Sequence, residues 1–293
     1  MSAPHKSVTG NEDPQEQILR LQTELDDLRK ELDLANQRLQ KRSVERQLAR
    51  NAADSAYKIV NQQNAELIDR IDLFRKFVPD SLSSMLDQKG FDVSKGMSLE
   101  RTYSVLSTDI RNFTSFTEKM SCQECFKFLN SFFTVMEPGI RNEGGFVYQY
   151  VGDSIMALFP SVDGHSDNAV ESALHLLNEV IPGYNKGRDR AGYDTIQIGI
   201  GINSGSVATG IAGTAERMDV SAFGSTVNLA ARCEGLTKEL GEMLIVTNNT
   251  HSMLSSPDSY ETLPLGEMSI RGMEKRVDLY SVKRKGKGVD QGS

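Results

Sequence analysis

The chain has 293 residues, with 33 Lys and Arg against 40 Asp and Glu, and a formal net charge of −7. This acidic balance, with no basic cluster apart from residues 283–287, argues against a nucleic-acid partner. No apolar run approaches the roughly 20 residues that span a bilayer, and the polar start of the chain does not resemble a secretory signal. The three cysteines cannot all pair within the chain. We therefore expect a cytoplasmic protein, or the cytosolic part of a larger or membrane-tethered sensor.

The N-terminal part of the sequence has the pattern of a coiled coil. We expect residues 1–13 to be disordered and residues 14–78 to form one long helix, because Gly and Pro are absent from residues 15–76. Apolar or small residues recur there at alternating intervals of three and four. The alternative is a single amphipathic helix that packs on its own domain. The apolar seam, with two residues in seven, is narrower than such packing usually requires, so the pattern favours a parallel helical dimer. The seam comprises Ile18, Leu21, Leu25, Leu28, Leu32, Ala35 and Leu39, and a second register resumes through Leu48, Ile59, Leu67, Ile71 and Phe74.

A domain of alternating short elements is predicted for residues 102–283, after a linker at 79–101 and before a basic, flexible tail at 284–293. A β-hairpin at 146–160 turns at Gly152 and Asp153, and Ser166 is predicted to cap the following helix. This alternation around a central hairpin indicates the α/β class and a ferredoxin-like α/β sandwich. The predicted strands are 103–106, 196–202, 244–247 and 277–282, and the predicted helices are 121–142, 167–181 and 226–240.

Two aspartates carry the strongest functional signal. Asp109 ends an apolar run, and Asp153 lies at the tip of the predicted hairpin. A carboxylate at a strand end and another at a hairpin tip can converge on divalent cations, which take hard oxygen ligands. Each residue alone also fits a structural role, Asp153 in a Gly-Asp turn and Asp109 as a helix cap. Together they indicate a metal site.

A third segment, residues 223–232, supplies polar groups suited to a phosphate. Asn228 and Arg232 stand four positions apart and therefore lie on one face of a predicted helix. The alternative is that Asn228 caps or packs and that Arg232 is a surface residue. Metal-binding carboxylates, an amide and a fixed guanidinium are what phosphoryl transfer requires of a protein, so the three segments together predict that chemistry.

These motifs resemble the catalytic domain of class III nucleotidyl cyclases over residues 102–282. The matching segments are TDIRNFTSFTE, GGFVYQYVGDSIMALF, GINSGSVATGIAG, FGSTVNLAAR and SIRGMEKRVDLYSV, in that order. The resemblance implies the cyclase form of the ferredoxin-like fold, and a reaction in which the ribose 3′-hydroxyl attacks the α-phosphorus and pyrophosphate leaves. It also implies a homodimer whose active sites combine the aspartates of one subunit with the Asn and Arg of the other.

The resemblance assigns roles to single residues near the aspartates. Asp109, Asp153 and the backbone carbonyl of Ile110 would bind two divalent cations per site, Mg²⁺ or Mn²⁺. The turn that contains Phe113 and Thr114 would hold the polyphosphate, through backbone N–H groups at a helix start.

Three positively charged or polar side chains complete the implied site. Asn228 would orient the ribose, and Arg232 would neutralise charge on the α-phosphoryl group in the transition state. Arg271 stands where the family usually carries a phosphate-binding Lys, so the charge is kept but its geometry changes.

Base selection depends on two positions in the family pattern. Gln149 stands where adenylyl cyclases usually carry Lys and guanylyl cyclases carry Glu, and an amide can donate or accept a hydrogen bond. Ser221 stands where adenylyl enzymes carry Asp or Thr and guanylyl enzymes commonly carry Cys. Its hydroxyl can accept a hydrogen bond from the adenine 6-amino group. The pair favours ATP over GTP, with imperfect discrimination.

Three functions are compatible with this sequence. The first is an adenylate cyclase, the second is a guanylyl or dual-specificity cyclase, and the third is a degenerate cyclase-like module that only dimerises or binds nucleotide. Retention of Asp109, Asp153, Asn228 and Arg232 favours an active enzyme. The long N-terminal helix resembles signalling linkers that join cyclase domains to sensors. We therefore expect an upstream sensor domain or protein as a partner, unless the coiled coil is itself the regulatory input.

Overall fold

The computed structural model describes residues 13–75, 98–160, 164–214, 216–273 and 275–285, which divide into two units between Phe74 and Arg75. The first unit consists of one helix, α1 (Pro14–Arg75), whose last residue falls just past this division. Side chains along the predicted seam are solvent-exposed, with Leu25 at 50% and Leu32 at 61%. The predicted end of the helix at residue 78 and the Phe74 side chain lie outside the described residues. Within the described part of the chain, no helix combines the length and apolar character needed to cross a membrane.

The second unit is built on an eight-stranded sheet. Its strands are β1 Ser98–Ile110, β2 Phe146–Val151, β3 Ser154–Pro160, β4 Ile198–Gly213, β5 Met218–Phe223, β6 Leu244–Thr247, β7 Tyr260–Met268 and β8 Val277–Arg284. Its helices are α2 Phe113–Thr117, α3 Cys122–Arg141, α4 His165–His175, α5 Ile181–Arg190, α6 Ser225–Leu240 and α7 Asn248–Ser252. β1 therefore begins within the stretch that the sequence assigned to a linker.

The strand order confirms the predicted fold class. The order across the sheet is β2-β3-β1-β4-β6-β8-β7, and β5 pairs with β4 outside this path. β1 runs antiparallel to both β3 and β4, and β2 and β3 form the predicted hairpin. The block β2-β3-β1-β4, with α3 and α4–α5 as its two crossovers, is the ferredoxin-like arrangement of strands. β6, β8 and β7 extend this block on its β4 side.

The sheet is covered on both faces because side chains alternate along β1. Leu106 and Ile110 pack with α3 and α4 in the larger apolar core. Tyr103 and Val105 point to the other face and pack with α6. This second contact is close, because a Cβ at Gly201 in β4 would overlap the backbone nitrogen of Glu234 in α6. Glycine at this position therefore fixes how near α6 lies to the sheet.

Three local predictions differ from the structure. The helix predicted for 167–181 starts at His165, passes through a π-helical turn at 176–180 and continues to Arg190, because Pro182 falls in the first turn of α5, where no N–H donor is required. Ser166 does not cap this helix; its buried Oγ instead lies 3.1 Å from Oγ of Ser104 in β1. β5 and β7 were not predicted, and β7 is interrupted by a bulge at 264–266, where the sequence has Pro and Gly.

Candidate active site

The two aspartates lie side by side at one edge of the β1–β3 pair. β1 ends at Ile110, and its antiparallel pairing with β3 brings the tip of the β2–β3 hairpin next to that end. The backbone N–H of Ile110 donates to Oδ2 of Asp153 at 3.1 Å. Ser154 Oγ donates to Oδ2 of Asp109 at 2.6 Å. The hairpin register therefore determines how close the two carboxylates stand.

The site carries more negative charge than its surroundings neutralise. Burial, and then the neighbouring Asp109, raise the pKa of Asp153 from its ordinary value of 3.8 to about 7. Burial and the same aspartate also raise the pKa of Glu234 in α6 to about 7, against the opposing charge of Arg111. Burial and the charge of Asp109 therefore disfavour the ionisation of both Asp153 and Glu234.

This donor set fits a hard divalent cation. Among the described residues, no group of three or more His, Cys, Asp and Glu side chains converges as a complete metal site. Asp109, Asp153 and the Ile110 carbonyl offer only oxygen ligands, which Mg²⁺ and Mn²⁺ prefer. A cation there would relieve the repulsion that raises the pKa of Asp153. Such a partial protein site suits ions that also coordinate substrate phosphates.

The raised pKa of Asp153 predicts a pH-dependent stability in chelator. Between pH 3.8 and about 7 the folded carboxyl retains a proton that the unfolded chain releases. The free energy of unfolding should therefore fall as pH rises through this window. Asp153→Asn stays neutral, so its Tm should exceed that of wild type at pH 8, and the difference should shrink toward pH 5. Part of the pH dependence of stability should remain in Asp153→Asn, because the pKa of Glu234 is also raised to about 7. The exposed variant Asp258→Asn is the control, and parallel Tm curves for wild type and Asp153→Asn would contradict this account.

The turn after β1 is held by contacts from distant segments. Asn112 has a left-handed φ of 57°, and its Oδ1 accepts from Lys238 Nζ at 2.8 Å. Arg111 Nη2 donates to the carbonyl oxygen of Glu242 at 2.7 Å. α2 starts directly after this turn, with Phe113 half-buried and Thr114 exposed. The first N–H groups of a helix have no acceptor within it, so this turn presents donors next to Asp109.

Asn228 and Arg232 lie on the outer face of α6. Thr226, Val227, Leu229, Ala230 and Cys233 are buried in the same helix, whereas Asn228 is exposed and Arg232 is half-buried. The Arg232 guanidinium rests against the turn between β7 and β8, where a Cβ at Gly272 would lie 3.1 Å from its Nη2. Arg271 precedes that glycine and is exposed. Two arginines therefore share one surface.

The two positions that the family resemblance assigns to base selection lie on strands that approach each other. Gln149 is exposed on β2, next to a bulge in its pairing with β3. Ser221 is half-buried on β5 and pairs with Gly210 of β4. β5 comes near β2 in the fold. Within the described ranges, no hydrogen bond or ion pair joins Asp109 or Asp153 to either of these residues.

Several residues of this region were not singled out from the sequence. Ser154 holds Asp109, and Glu234 shares its electrostatic environment. Asn203 is 2% exposed; its Nδ2 donates to the carbonyl oxygen of Thr226 at 3.1 Å, and its Oδ1 accepts from Thr247 at 2.7 Å. It thereby ties the first turn of α6 to the sheet. The sequence did contain a signal for Glu234. It is a charged residue four positions after Ala230, so it falls on the face of the helix that packs on the sheet, where a charged residue is unusual.

Comparison with known proteins identifies the family. Residues 97–284 match the model of the adenylate and guanylate cyclase catalytic domain. The chain is 34% identical over 219 residues to an adenylate cyclase of Anabaena cylindrica, a match that covers 73% of this chain and 43% of that protein. It is 32% identical over 215 residues to the terminal-differentiation-specific adenylate cyclase of Dictyostelium discoideum, with 71% and 10% covered.

A solved structure supports the fold independently. A bacterial light-regulated adenylyl cyclase superposes with a TM-score of 0.65 at 22% identity, over 78% of this chain and 66% of that one. The chain belongs to the adenylate and guanylate cyclase catalytic domain family, which confirms the resemblance to class III cyclases. Proteins of this family generally use divalent metal ions. The chain spans less than half the length of the two curated relatives described above.

Proposed function

We propose that this chain is a homodimeric adenylate cyclase that converts ATP to 3′,5′-cyclic AMP and pyrophosphate. The observation that best supports this function is the juxtaposition of Asp109 and Asp153 at the end of β1, in a domain of the cyclase family. A ferredoxin-like fold alone would support many functions, whereas two adjacent carboxylates beside a helix start suit a metal-bound polyphosphate.

In this proposal, Asp109, Asp153 and the carbonyl of Ile110 hold two divalent cations per site. Bound Mg²⁺ or Mn²⁺ would lower the pKa of the 3′-hydroxyl and neutralise charge on the pyrophosphate. Phe113 and Thr114 contribute backbone N–H groups that hold the polyphosphate next to Asp109.

The remaining groups act on the ribose and the α-phosphate. Asn228 orients the ribose, so that its 3′-oxygen faces the α-phosphorus. Bond formation there breaks the bond to pyrophosphate, and the hydroxyl proton passes to solvent. Arg232 neutralises charge that accumulates on the α-phosphoryl oxygens, and Arg271 binds the departing phosphates.

The site requires two subunits. Asn228 and Arg232 face outward from α6, away from the sheet that carries the aspartates of the same chain. In a dimer with twofold symmetry, Asn228 and Arg232 of each subunit would lie next to the two aspartates of the other subunit. The dimer would then have two equivalent sites. The exposed leucines of α1 are proposed to pair with the same seam in the other subunit. An upstream sensor domain or protein would act through this helix, in a cytoplasmic setting.

Polar substitutions on the seam should weaken the dimer. We expect Leu25→Asn/Leu32→Asn to dissociate at protein concentrations where wild type is dimeric, and to lose activity on dilution, because burial of these leucines favours association. Analytical ultracentrifugation and activity across a dilution series measure both effects. Leu19→Asn/Leu34→Asn, at exposed positions off the seam, should behave as wild type. Equal sedimentation and activity of both double variants at all dilutions would place the dimer contact elsewhere.

Base preference should follow the hydrogen bonds at residues 149 and 221. Gln149→Lys should sharpen the preference for ATP, because an ammonium donates to adenine N1 but cannot accept from guanine N1–H. Gln149→Glu/Ser221→Cys should shift the preference toward GTP. Each contact should change the ratio of kcat/KM values for ATP and GTP by roughly ten- to a hundredfold. Gln123→Lys, an exposed site on α3, is the control. A change of less than about threefold in both variants would mean that these positions do not read the base.

One assay separates the candidate functions. Purified chain is incubated with Mn²⁺ and either ATP or GTP, and products are identified by mass spectrometry. An adenylate cyclase yields cyclic AMP and pyrophosphate in equal amounts, and it forms cyclic AMP from ATP faster than it forms cyclic GMP from GTP. Faster formation of cyclic GMP would support the guanylyl alternative. Absence of both cyclic products from a folded dimer would support a regulatory module instead.

A further inference from the structure

A cavity of about 570 Å³ lies between α3 and α5, with α2 and the loop after α5 on its sides. This volume is within the range of about 300–1,000 Å³ that is usual for small-molecule sites. Four aromatic rings lie in its walls among charged and small residues, and the residues proposed for cyclisation do not line it. It is therefore separate from the residues assigned to the nucleotide.

The main feature of this cavity is Arg188, a residue that is only 9% exposed. Its Nε donates to the carbonyl oxygen of Asp194 at 2.7 Å. Among the described residues, its buried Nη2 has no hydrogen-bond acceptor and the side chain has no carboxylate partner. The guanidinium carbon lies near four ring centroids, at 4.8 Å from Phe128, 5.2 Å from Phe116, 5.5 Å from Tyr193 and 5.7 Å from Tyr184.

The aromatic rings offset only part of the cost of burying this charge. Cation–π contacts stabilise a desolvated guanidinium, but a buried charge without an anion usually remains costly. Glu124 lines the cavity but does not serve Arg188, since its Oε2 accepts from Ser121 N at 2.8 Å and Oγ at 2.7 Å. Lys119 and Lys127 add positive charge to the lining, and Asp194 adds one carboxylate. The balance of the lining is cationic.

We propose that this cavity binds a small organic carboxylate with an aromatic or aliphatic body. The carboxylate accepts a charge-assisted hydrogen bond from the Arg188 guanidinium, which keeps donor capacity because its Nη2 has no acceptor among the described residues. The rings of Phe116, Phe128 and Tyr193 surround the apolar body. Phe128 also stacks on Phe113, with centroids 6.3 Å apart, so the ring cluster beside the cavity extends to the first residue of α2.

The test uses 4-fluorophenylacetate as the probe and its neutral amide, 4-fluorophenylacetamide, as the comparison. Binding to the full chain is followed by ¹⁹F NMR titration. Arg188→Met removes the charge. Gly187→Leu fills the cavity and leaves Arg188 in place, and Gly183→Leu is its matched control one turn earlier in α5, outside the lining. At both glycines, an added Cβ meets no atom within 4 Å, and both changes favour the helix.

We expect the carboxylate to bind wild type at least about tenfold more tightly than the amide, because the amide lacks the charge-assisted contact. Arg188→Met and Gly187→Leu should each weaken carboxylate binding by at least about tenfold, while Gly183→Leu leaves it unchanged. Equal affinity for acid and amide, unchanged affinity in Gly187→Leu, or no saturable binding to wild type would each overturn the proposal. Gly187→Leu decides the question should Arg188→Met fail to fold.

Discussion

Asp109→Ala should lower the rate of cyclic AMP formation by at least about a hundredfold, because a bound cation supplies several kcal/mol of charge stabilisation and each 1.4 kcal/mol is tenfold in rate. The fold should survive, since Asp109 is only half-buried and accepts one side-chain hydrogen bond, from Ser154. Removing this carboxylate also removes a repulsion that raises the pKa of Asp153.

The rate is measured with saturating ATP over a range of Mn²⁺ concentrations, beside circular dichroism and Tm in chelator. Asp258→Asn, an exposed carboxylate far along the chain, should retain full activity. The Asp109→Ala rate should not recover at high Mn²⁺, because the carboxylate ligand itself is missing. Retention of more than about a tenth of the wild-type rate would contradict the assignment of Asp109 to the metal site.

Arg232→Ala should lower kcat by roughly 10³–10⁵, the range observed when an arginine that stabilises transferring phosphoryl groups is removed. KM for ATP should change little, because the charge that Arg232 neutralises develops only in the transition state. Arg232→Lys should recover only part of the loss, since an ammonium lacks the planar fork of donors.

Exposed Arg190→Ala is the matched control for the loss of one arginine. The Tm of Arg232→Ala should stay near wild type, because the side chain is half-exposed and rests on the Gly272 turn without a carboxylate partner among the described residues. A loss of less than about tenfold in kcat, or a loss that appears only in KM, would remove Arg232 from the chemical step.

Sequence patterns predicted those parts of the fold that local signals specify. The hairpin that turns at Gly152 and Asp153 is an example, since a Gly-Asp pair between two apolar runs defines both strands and the turn. The helix at 122–141 is another, because Ser121 and Glu124 form a capping box visible in the sequence. The long extension of α4 through a π-helical turn had no such signal, because a proline at 182 indicates a helix boundary, whereas in the structure it takes the first turn of α5, where no N–H donor is required.

The active site was predictable only in part for the same reason. Asp109 and Asp153 could be paired because a strand end and a hairpin tip are adjacent in this topology. The contacts of Arg111 and Lys238 that hold the turn after β1, and the charge of Glu234 near Asp109, depend on how α6 and the start of β6 lie against that turn. Local sequence does not specify that packing. The ring cluster around Arg188 could not be predicted from the sequence either. Its four rings come from α2, α3, α5 and the loop after α5, and only the tertiary fold brings them together.

Subunit complementation tests the shared-site dimer most directly. Asp109→Ala and Arg232→Ala homodimers each lack one half of both sites, so each should be inactive alone. After subunit exchange, half of the dimers are mixed and each has one intact site of two, so about a quarter of wild-type activity should return. Exchange is verified by native mass spectrometry of the mixture, with isotope labelling of one variant. The account predicts this recovery in cyclic AMP formation from ATP, and mixed dimers that remain inactive would contradict it.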